Sequence, residues 1–217
     1  RGLGDVYKRQ QYACFDIPGI DWPGRRVSDC LTVLQAASVA HQLGKRQILS
    51  ESFAMCGWNV SFEELRRIAE YQMVHGVTLL CQHLAPYSLG GIRKRDAPAA
   101  LFVQQPWWKE YRHFNDFISR VGMLLTLGNV HFSVLVLHPQ QSAWALYDGS
   151  ETSRAEIDRL NSALRSTVQT LEHAQIPFHL GDDQMLSQHA SIEGNRLCVG
   201  AQRYRCLLYT SPSPRDM

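Results

Sequence analysis

The strongest constraint on the fold is a repeated order of short apolar segment, polar loop and amphipathic helix. Apolar segments at residues 12–17, 47–50 and 77–82 are each followed by a loop and then by apolar residues at helical spacing. A capping box, Ser61 with Glu64, marks the beginning of one of these helices. Because strand–helix–strand connections join parallel strands, this order predicts an α/β fold.

The loops that follow the predicted strands are long and polar, whereas the turns from helix to strand are tight. Residues 84–106 form the longest loop, ahead of a helix predicted over residues 107–127. In α/β folds, functional groups gather at the carboxyl ends of the strands. Candidate functional residues are therefore expected at these strand ends.

A second α/β segment follows Gly128. Residues 132–137 predict a buried strand, residues 153–174 a helix, and a further strand is predicted near Phe178. The boundary between the two segments is expected between residues 128 and 131.

The two ends of the chain are related at the level of DNA. A DNA sequence encoding CLLYTSPSPRD (residues 206–216) has a reverse complement that, extended by one base and translated in another frame, encodes RGLGDVYKRQ (residues 1–10). This inverted repeat resembles a transposase adapter used to prepare sequencing libraries. Residues 1–10 and 206–217 are therefore expected to be adapter-derived, and the native segment is predicted to span residues 11–205.

The charge balance excludes some classes of partner. Four of the 22 Lys and Arg residues and two of the 20 Asp and Glu residues lie in the terminal segments, which leaves 18 of each. A neutral segment lacks the basic surface that binds nucleic acid. No apolar run reaches the roughly 18 residues needed to cross a bilayer. The sequence predicts neither a nucleic-acid nor a membrane partner, and it leaves the cellular compartment open.

Several common chemistries lack their motifs. Without Cys206 the chain has five scattered cysteines and no CxxC pair, which is typical of free thiols. The histidines lack metal-ligand spacing, so no metal site is predicted. Asp182 and Asp183 are interpreted as a turn rather than a calcium site. The absence of GxSxG, GxxxxGK and GxGxxG disfavours esterases, kinases and dinucleotide enzymes.

Five segments carry a resemblance to a known family. ILSESFAMCGW (48–58), CQHLAPYSLGGIRKRDAP (81–98) and QPWWKEYRHFNDFISRVGMLLTLG (105–128) resemble the end of the catalytic barrel in bacterial glycoside hydrolases related to family 106, the α-L-rhamnosidases. VLVLHPQQSAW (134–144) and GNRLCVGAQRY (194–204) resemble the flavodoxin-like domain that follows such barrels.

The resemblance implies both architecture and activity. Residues 11–128 would be the C-terminal part of a (β/α)₈ TIM barrel, and residues 129–205 the beginning of a flavodoxin-like α/β domain, within a longer protein. The implied activity is hydrolysis of O-glycosidic bonds in glycans, α-L-rhamnosidase-like and inverting. The implied partners are a carbohydrate substrate and the remainder of the same protein chain. Calcium is suggested as a cofactor by the resemblance alone.

Glu51 is the candidate catalytic carboxylate. Glycoside hydrolysis uses two carboxyl groups, about 5–5.5 Å apart for retention of configuration and about 6.5–9.5 Å apart for inversion. If the first three predicted strands are the sixth to eighth of a barrel, Glu51 falls at the end of the seventh. It would act as general base in an inverting enzyme or as nucleophile in a retaining one. A second interpretation is a solvated carboxylate or the N-cap of a turn.

Five residues are candidates for substrate binding. Asp16 and Asp21 lie in DIPGIDWPG, a predicted strand-end loop, where they would bind sugar hydroxyls or supply the acid. Their alternative interpretation is an Asx-turn residue, with the partner acid upstream. His83 and Tyr87 follow the third predicted strand, and Trp58 is placed to stack on a sugar ring. A hydrogen-bonded structural histidine and ordinary aromatic packing are the alternatives.

Two other functions remain open. The first is a catalytically inactive carbohydrate-binding or scaffold module with the same barrel, which differs from an enzyme in lacking the second carboxylate. The other is an unrelated flavodoxin-like regulator with one open sheet, which the long loop at residues 84–106 disfavours.

Overall fold

The computed structural model describes residues 9–209 as a mixed α/β chain with small parallel sheets. Its helices are α1 (Arg9–Tyr12), α2 (Leu31–Gln42), α3 (Phe62–Val74), α4 (Tyr111–Thr126), α5 (Gln140–Leu146), α6 (Glu151–His173) and α7 (Asp183–His189). Its strands are β1 (Gly19–Trp22), β2 (Leu49–Ser52), β3 (Leu79–Gln82), β4 (Val134–Leu137), β5 (Phe178–Gly181), β6 (Ala190–Glu193), β7 (Arg196–Val199), β8 (Gln202–Tyr204) and β9 (Cys206–Leu208).

The chain divides into two compact units. Of the described residues, the first unit comprises 16–37 and 45–129, and the second comprises 9–15, 38–44 and 130–209. Helix α2 therefore contributes residues to both. Within the described residues, no helix is long and apolar enough to span a membrane.

The first unit contains a parallel sheet in the order β1-β2-β3. The pairs are in register, with Gly19 beside Leu49 and Leu49 beside Leu79. The prediction of parallel strands is confirmed. Strand–helix connections produce this arrangement because a parallel neighbour requires the chain to return to the same end of the sheet.

Strand β1 lies later in the chain than the sequence suggested. A strand was predicted at residues 12–17, but α1 ends at Tyr12 and β1 begins at Gly19. The Pro-Gly pair was interpreted as the end of a strand, and it stands at the beginning of one, a position where a strand accepts proline. The carbonyl of Pro18 accepts a hydrogen bond from the Leu49 amide at 2.9 Å.

The predicted capping box at the beginning of α3 is confirmed. The Ser61 hydroxyl accepts a hydrogen bond from the Glu64 amide at 3.2 Å, and the Glu64 carboxylate accepts one from the Ser61 amide at 3.0 Å. This amide bond and the bond from Arg25 lower the pKa of Glu64. The helix then buries an apolar stripe, which comprises Leu65, Ile68, Ala69 and Met73.

Helix α4 follows a 3-10 turn at Trp108–Glu110 and lies where a helix was predicted. Its buried face includes Gly122, where an added Cβ would lie 2.5 Å from the Thr78 carbonyl oxygen. Leu124 and Leu125 continue the apolar spacing of this helix, but they are 67% and 44% exposed. The last turn of the helix has no packing layer to cover it among the described residues.

The second unit contains two small sheets. Strand β4 lies between β5 and β9 in a parallel sheet, and β6, β7 and β8 form an antiparallel sheet that the sequence did not indicate. The predicted strand–helix–strand order is observed as β4, α6 and β5, with α5 inside the segment expected to be a loop. Strand β9 consists of residues that the sequence assigns to the adapter, and residues 1–8 and 210–217 of those tails lie outside the described residues.

A buried polar network holds the last turn of α2 within the second unit. The Gln42 amide donates to the Leu180 carbonyl and to the Tyr204 hydroxyl, both at 3.0 Å. Nδ1 of His41 lies 3.0 Å from Nε2 of His179, whose Nδ1 lies 2.9 Å from the Tyr204 hydroxyl. A hydrogen bond between two imidazoles needs one nitrogen that carries no proton. The network therefore requires a neutral acceptor.

Protonation of His41 is predicted to weaken this part of the second unit. Burial lowers the pKa of His41 from 6.5 to about 4. Between these values the unfolded state binds more protons than the folded state. The contribution of neutral His41 to stability is therefore complete above pH 6.5 and is lost as the pH falls to 4. Hydrogen exchange of the Leu180 and Ala201 amides, corrected for intrinsic rates, should show opening that increases over this range.

The matched variants assign that pH dependence. His41→Phe should remove most of it, whereas His173→Gln, at an exposed position in the last turn of α6, should leave it unchanged. An unaltered pH dependence in His41→Phe would show that other groups cause the opening.

Candidate active site on the open face of the first sheet

One row of side chains crosses the first sheet on the same face. Asp21, Glu51 and Cys81 are register partners on β1, β2 and β3, and all three are exposed. Neighbouring strands lie about 4.8 Å apart, so the two carboxylates occupy adjacent positions. The face also carries Leu79, which is 37% exposed. We call this row the open face, since the buried side chains of β2 point the other way.

The opposite face of β2 is buried and polar. Ser50 and Ser52, which flank Glu51 in sequence, are both fully buried. Their hydroxyls lie 3.0 Å apart, and both contact the amide of Gln72 on α3. Sequence reasoning missed this cluster. Its signal was present in the alternating Ser-Glu-Ser of a strand that was expected to be apolar, and in a glutamine within the apolar spacing of α3.

The two aspartates predicted to bind substrate lie at different places relative to β1. Asp21 was expected in a strand-end loop, but it is the third residue of β1 and lies beside Glu51. Asp16 precedes the strand, at the amino end of the sheet, and is exposed. The structure thus brings Asp21 and Glu51 together and leaves Asp16 at the other end.

The chain leaves β2 through an unusual turn. Phe53, fully buried, has φ 80°, and Met55 has φ 61°. A side chain other than glycine in this region costs about 1–3 kcal/mol, and such residues cluster at functional sites. The Phe53 ring contacts Phe114 of α4, with centroids 5.9 Å apart. Packing holds the turn directly after Glu51 and Ser52 in this conformation.

Arg25 fastens the segment that follows this turn. Its Nε donates to the Cys56 carbonyl at 2.5 Å, its Nη1 pairs with Glu64 at 2.7 Å, and its Nη2 donates to Asn59. Burial raises the pKa of the Cys56 thiol, which the Arg25 charge partly offsets. Cys56 is therefore a structural thiol rather than a reactive one.

Trp58 is hydrogen-bonded to the long loop, residues 84–106. Its indole N–H donates to the Lys94 carbonyl at 2.7 Å, and its own carbonyl accepts from the Gln105 side chain at 3.3 Å. These bonds connect the middle of residues 84–106 and their C-terminal end to the segment after β2. Stacking of Trp58 on a sugar remains a prediction.

His83 lies next to β2, whereas Tyr87 faces solvent. The His83 amide donates to the Ser52 carbonyl at 2.8 Å, which places its backbone one residue from Glu51 along β2. Its Nδ1 is buried and has no hydrogen-bond partner among residues 9–209. Tyr87 is 104% exposed. Their roles in substrate binding remain predictions.

A groove runs between β3 and α4. It encloses about 470 Å³ and is lined by Leu80, Gln82, Trp108, Tyr111 and Asn115, among others. The Gln82 amide donates to Asn115 at 2.9 Å across its floor. Leu80 and Gln82 are register partners of Ser50 and Ser52, so the groove lies on the buried side of the sheet and not on the open face.

Comparison with known proteins gives a similarity to a solved structure. No family profile matches the chain, and no curated protein matches its sequence. Among solved structures, the chain is similar to a rhamnosidase from Novosphingobium sp. PP1Y, with a TM-score of 0.64 and 19% identity. The alignment covers 93% of this chain but only 19% of the rhamnosidase. The chain therefore shares the fold of part of a rhamnosidase and spans about a fifth of its length.

The adjacent carboxylates are predicted to reduce stability. Like charges on directly opposed strand positions are destabilising. Asp21→Asn should therefore raise the free energy of unfolding of the first unit at neutral pH, by less than about 1 kcal/mol because both groups are exposed. Glu63→Gln, at an exposed position in the first turn of α3, should not raise it. Urea denaturation measures both. A loss of stability in Asp21→Asn would contradict the arrangement.

Proposed function

We propose that the chain is part of a glycosidase that hydrolyses O-glycosidic bonds in glycans, with an α-L-rhamnosidase-like substrate and an inverting mechanism. The observation that carries the proposal is the exposed carboxylate of Glu51 on the open face, with Asp21 in register beside it. The fold of the rhamnosidase fragment supports it. In this proposal the first unit is the end of a (β/α)₈ barrel, and the second begins a flavodoxin-like domain.

Several exposed surfaces are accounted for by a closed barrel. Helices of a barrel lie outside the strands, so the face opposite them is the barrel interior. The open face, the unpaired edge of β3 in the described sheet and the groove beside it would then be covered by further strands and helices of a longer chain. The apolar last turn of α4, including Leu124, would be covered in the same way.

Sheet geometry distinguishes the roles of the two carboxylates. A strand separation of about 4.8 Å suits the closer pair of a retaining enzyme, whereas inversion requires about 6.5–9.5 Å. In an inverting mechanism the general acid therefore lies on a strand that is not adjacent to β2. Glu51 is then the general base that takes a proton from the attacking water. Asp21 orients that water or accepts hydrogen bonds from sugar hydroxyls.

No step of this proposed mechanism uses calcium. Calcium takes six to eight oxygen ligands. Asp21 and Glu51 are the carboxylates that the open face brings together, and two side chains fall short of that number. The residues described for this chain do not make a calcium site by themselves, and any such site would draw ligands from the rest of the protein.

The proposal predicts a specific loss of activity. In the full-length protein expressed from the uninterrupted gene, Glu51→Gln should lower kcat on an aryl α-L-rhamnoside by about 10²-fold or more, since a general base contributes roughly that factor. Glu63→Gln should retain the parental activity. Retained activity in Glu51→Gln would overturn the catalytic assignment, and binding without turnover in the parent would favour the carbohydrate-binding module.

The 217-residue chain alone is predicted to be inactive. Its open face is solvated, and one carboxylate cannot serve as both acid and base on opposite sides of a sugar in an inverting reaction. The same panel of aryl glycosides tests this. Turnover by the purified chain would show that the described residues hold the complete site.

A further inference from the structure

The buried side of β2 carries polar groups where apolar ones would pack well. Ser50, Ser52 and Gln72 are all fully buried. Burying a hydroxyl or amide costs free energy unless it is hydrogen-bonded, and an apolar residue of similar size avoids that cost. Such a cluster contributes specificity of packing, because a satisfied polar network fixes one arrangement of the core.

The three side chains satisfy one another. The Gln72 carbonyl oxygen accepts from the hydroxyls of Ser50 and Ser52, the latter at 3.3 Å. The Gln72 amide nitrogen lies 3.1 Å from the Ser52 hydroxyl and donates to the Ile68 carbonyl at 3.2 Å. Gln72 is thereby bonded to its own helix and to both serines.

The two serines stand on either side of Glu51. Side chains alternate along a strand, so fixing residues 50 and 52 on the helix side fixes residue 51 on the other. A one-residue slip of β2 would move the carboxylate into the buried layer. An apolar strand face would tolerate small shifts and rotations that the hydrogen-bonded cluster resists.

We infer that Gln72 is a positioning residue: by bonding Ser50 and Ser52 it holds β2 so that Glu51 stands beside Asp21 on the open face. This inference rests on the proposed function. Gln72 lies across the strand from the open face, and it acts through the strand. Misplacement of a reacting group by about 1 Å can cost 10²-fold in rate, which is the scale on which such a residue matters.

The test uses the full-length protein and separates positioning from stability. Gln72→Leu removes the partner on α3 from two buried hydroxyls, which keep their 3.0 Å contact with each other. It should lower both stability and kcat, the latter by about tenfold or more, with KM changed by less than about twofold. The triple variant Gln72→Leu, Ser50→Ala, Ser52→Ala also removes the two buried hydroxyls and should recover most of the stability. Its kcat should stay low, because nothing then fixes β2.

Gln35→Leu is the matched control. Gln35 is 2% exposed and lies on α2, so the substitution removes a buried amide from another helix of the same unit. It should leave kcat within about twofold of the parent once the protein is folded. Recovery of kcat together with stability in the triple variant would overturn the inference and leave the cluster a structural role.

A readout without substrate keeps this test apart from the proposed function. Hydrogen exchange of β2 should be faster in the triple variant than in the parent at equal global stability. If Glu51→Gln keeps full activity, the proposed function fails, but the difference in exchange still tests the positioning role of Gln72. Unchanged exchange in β2 would overturn that role, whether or not Glu51 is catalytic.

Discussion

The hydrogen bonds between Gln72 and the serines of β2 are the interaction on which the candidate site depends. A strand can present a carboxylate to one side only if its other side is held. The bonds are made in the buried layer, where water does not compete and geometry is strict. The exposed carboxylates contribute nothing comparable, since like charges on neighbouring strands repel. The position of Glu51 is therefore fixed from the buried side of β2.

Signals that act over a few residues were predicted correctly from the sequence. The capping box of Ser61 and Glu64 is complete within four residues, and α3 begins where it indicates. Strand β1 was misplaced because Pro18-Gly19 is compatible with either end of a strand. Local chemistry marks a break in the chain, but only pairing with β2 decides on which side of it the strand lies.

The site was predicted as separate residues and not as an arrangement. Glu51 and Asp21 were both candidates, yet their adjacency follows from the register of β1 and β2, which depends on long-range pairing. The serine–glutamine cluster was missed for the same reason, since Ser50 and Gln72 meet only across the layer between β2 and α3. The exposure of Leu124 shows a related limit: periodicity identifies an apolar face, but not whether a layer is present to cover it.

Exposure of the open face defines what else the chemistry requires. Charges in water interact weakly, and the same charges act strongly once a closed site excludes water. Asp21 and Glu51 are solvated in the described residues, so their catalytic strength would come from the walls that a complete barrel places around them. In an inverting mechanism those walls would also carry the acid, because β1 with Asp21 lies closer to β2 than inversion requires and β3 carries Cys81 beside Glu51. In the proposed function the chain would supply one side of the reaction, and Gln72 would fix the orientation of Glu51.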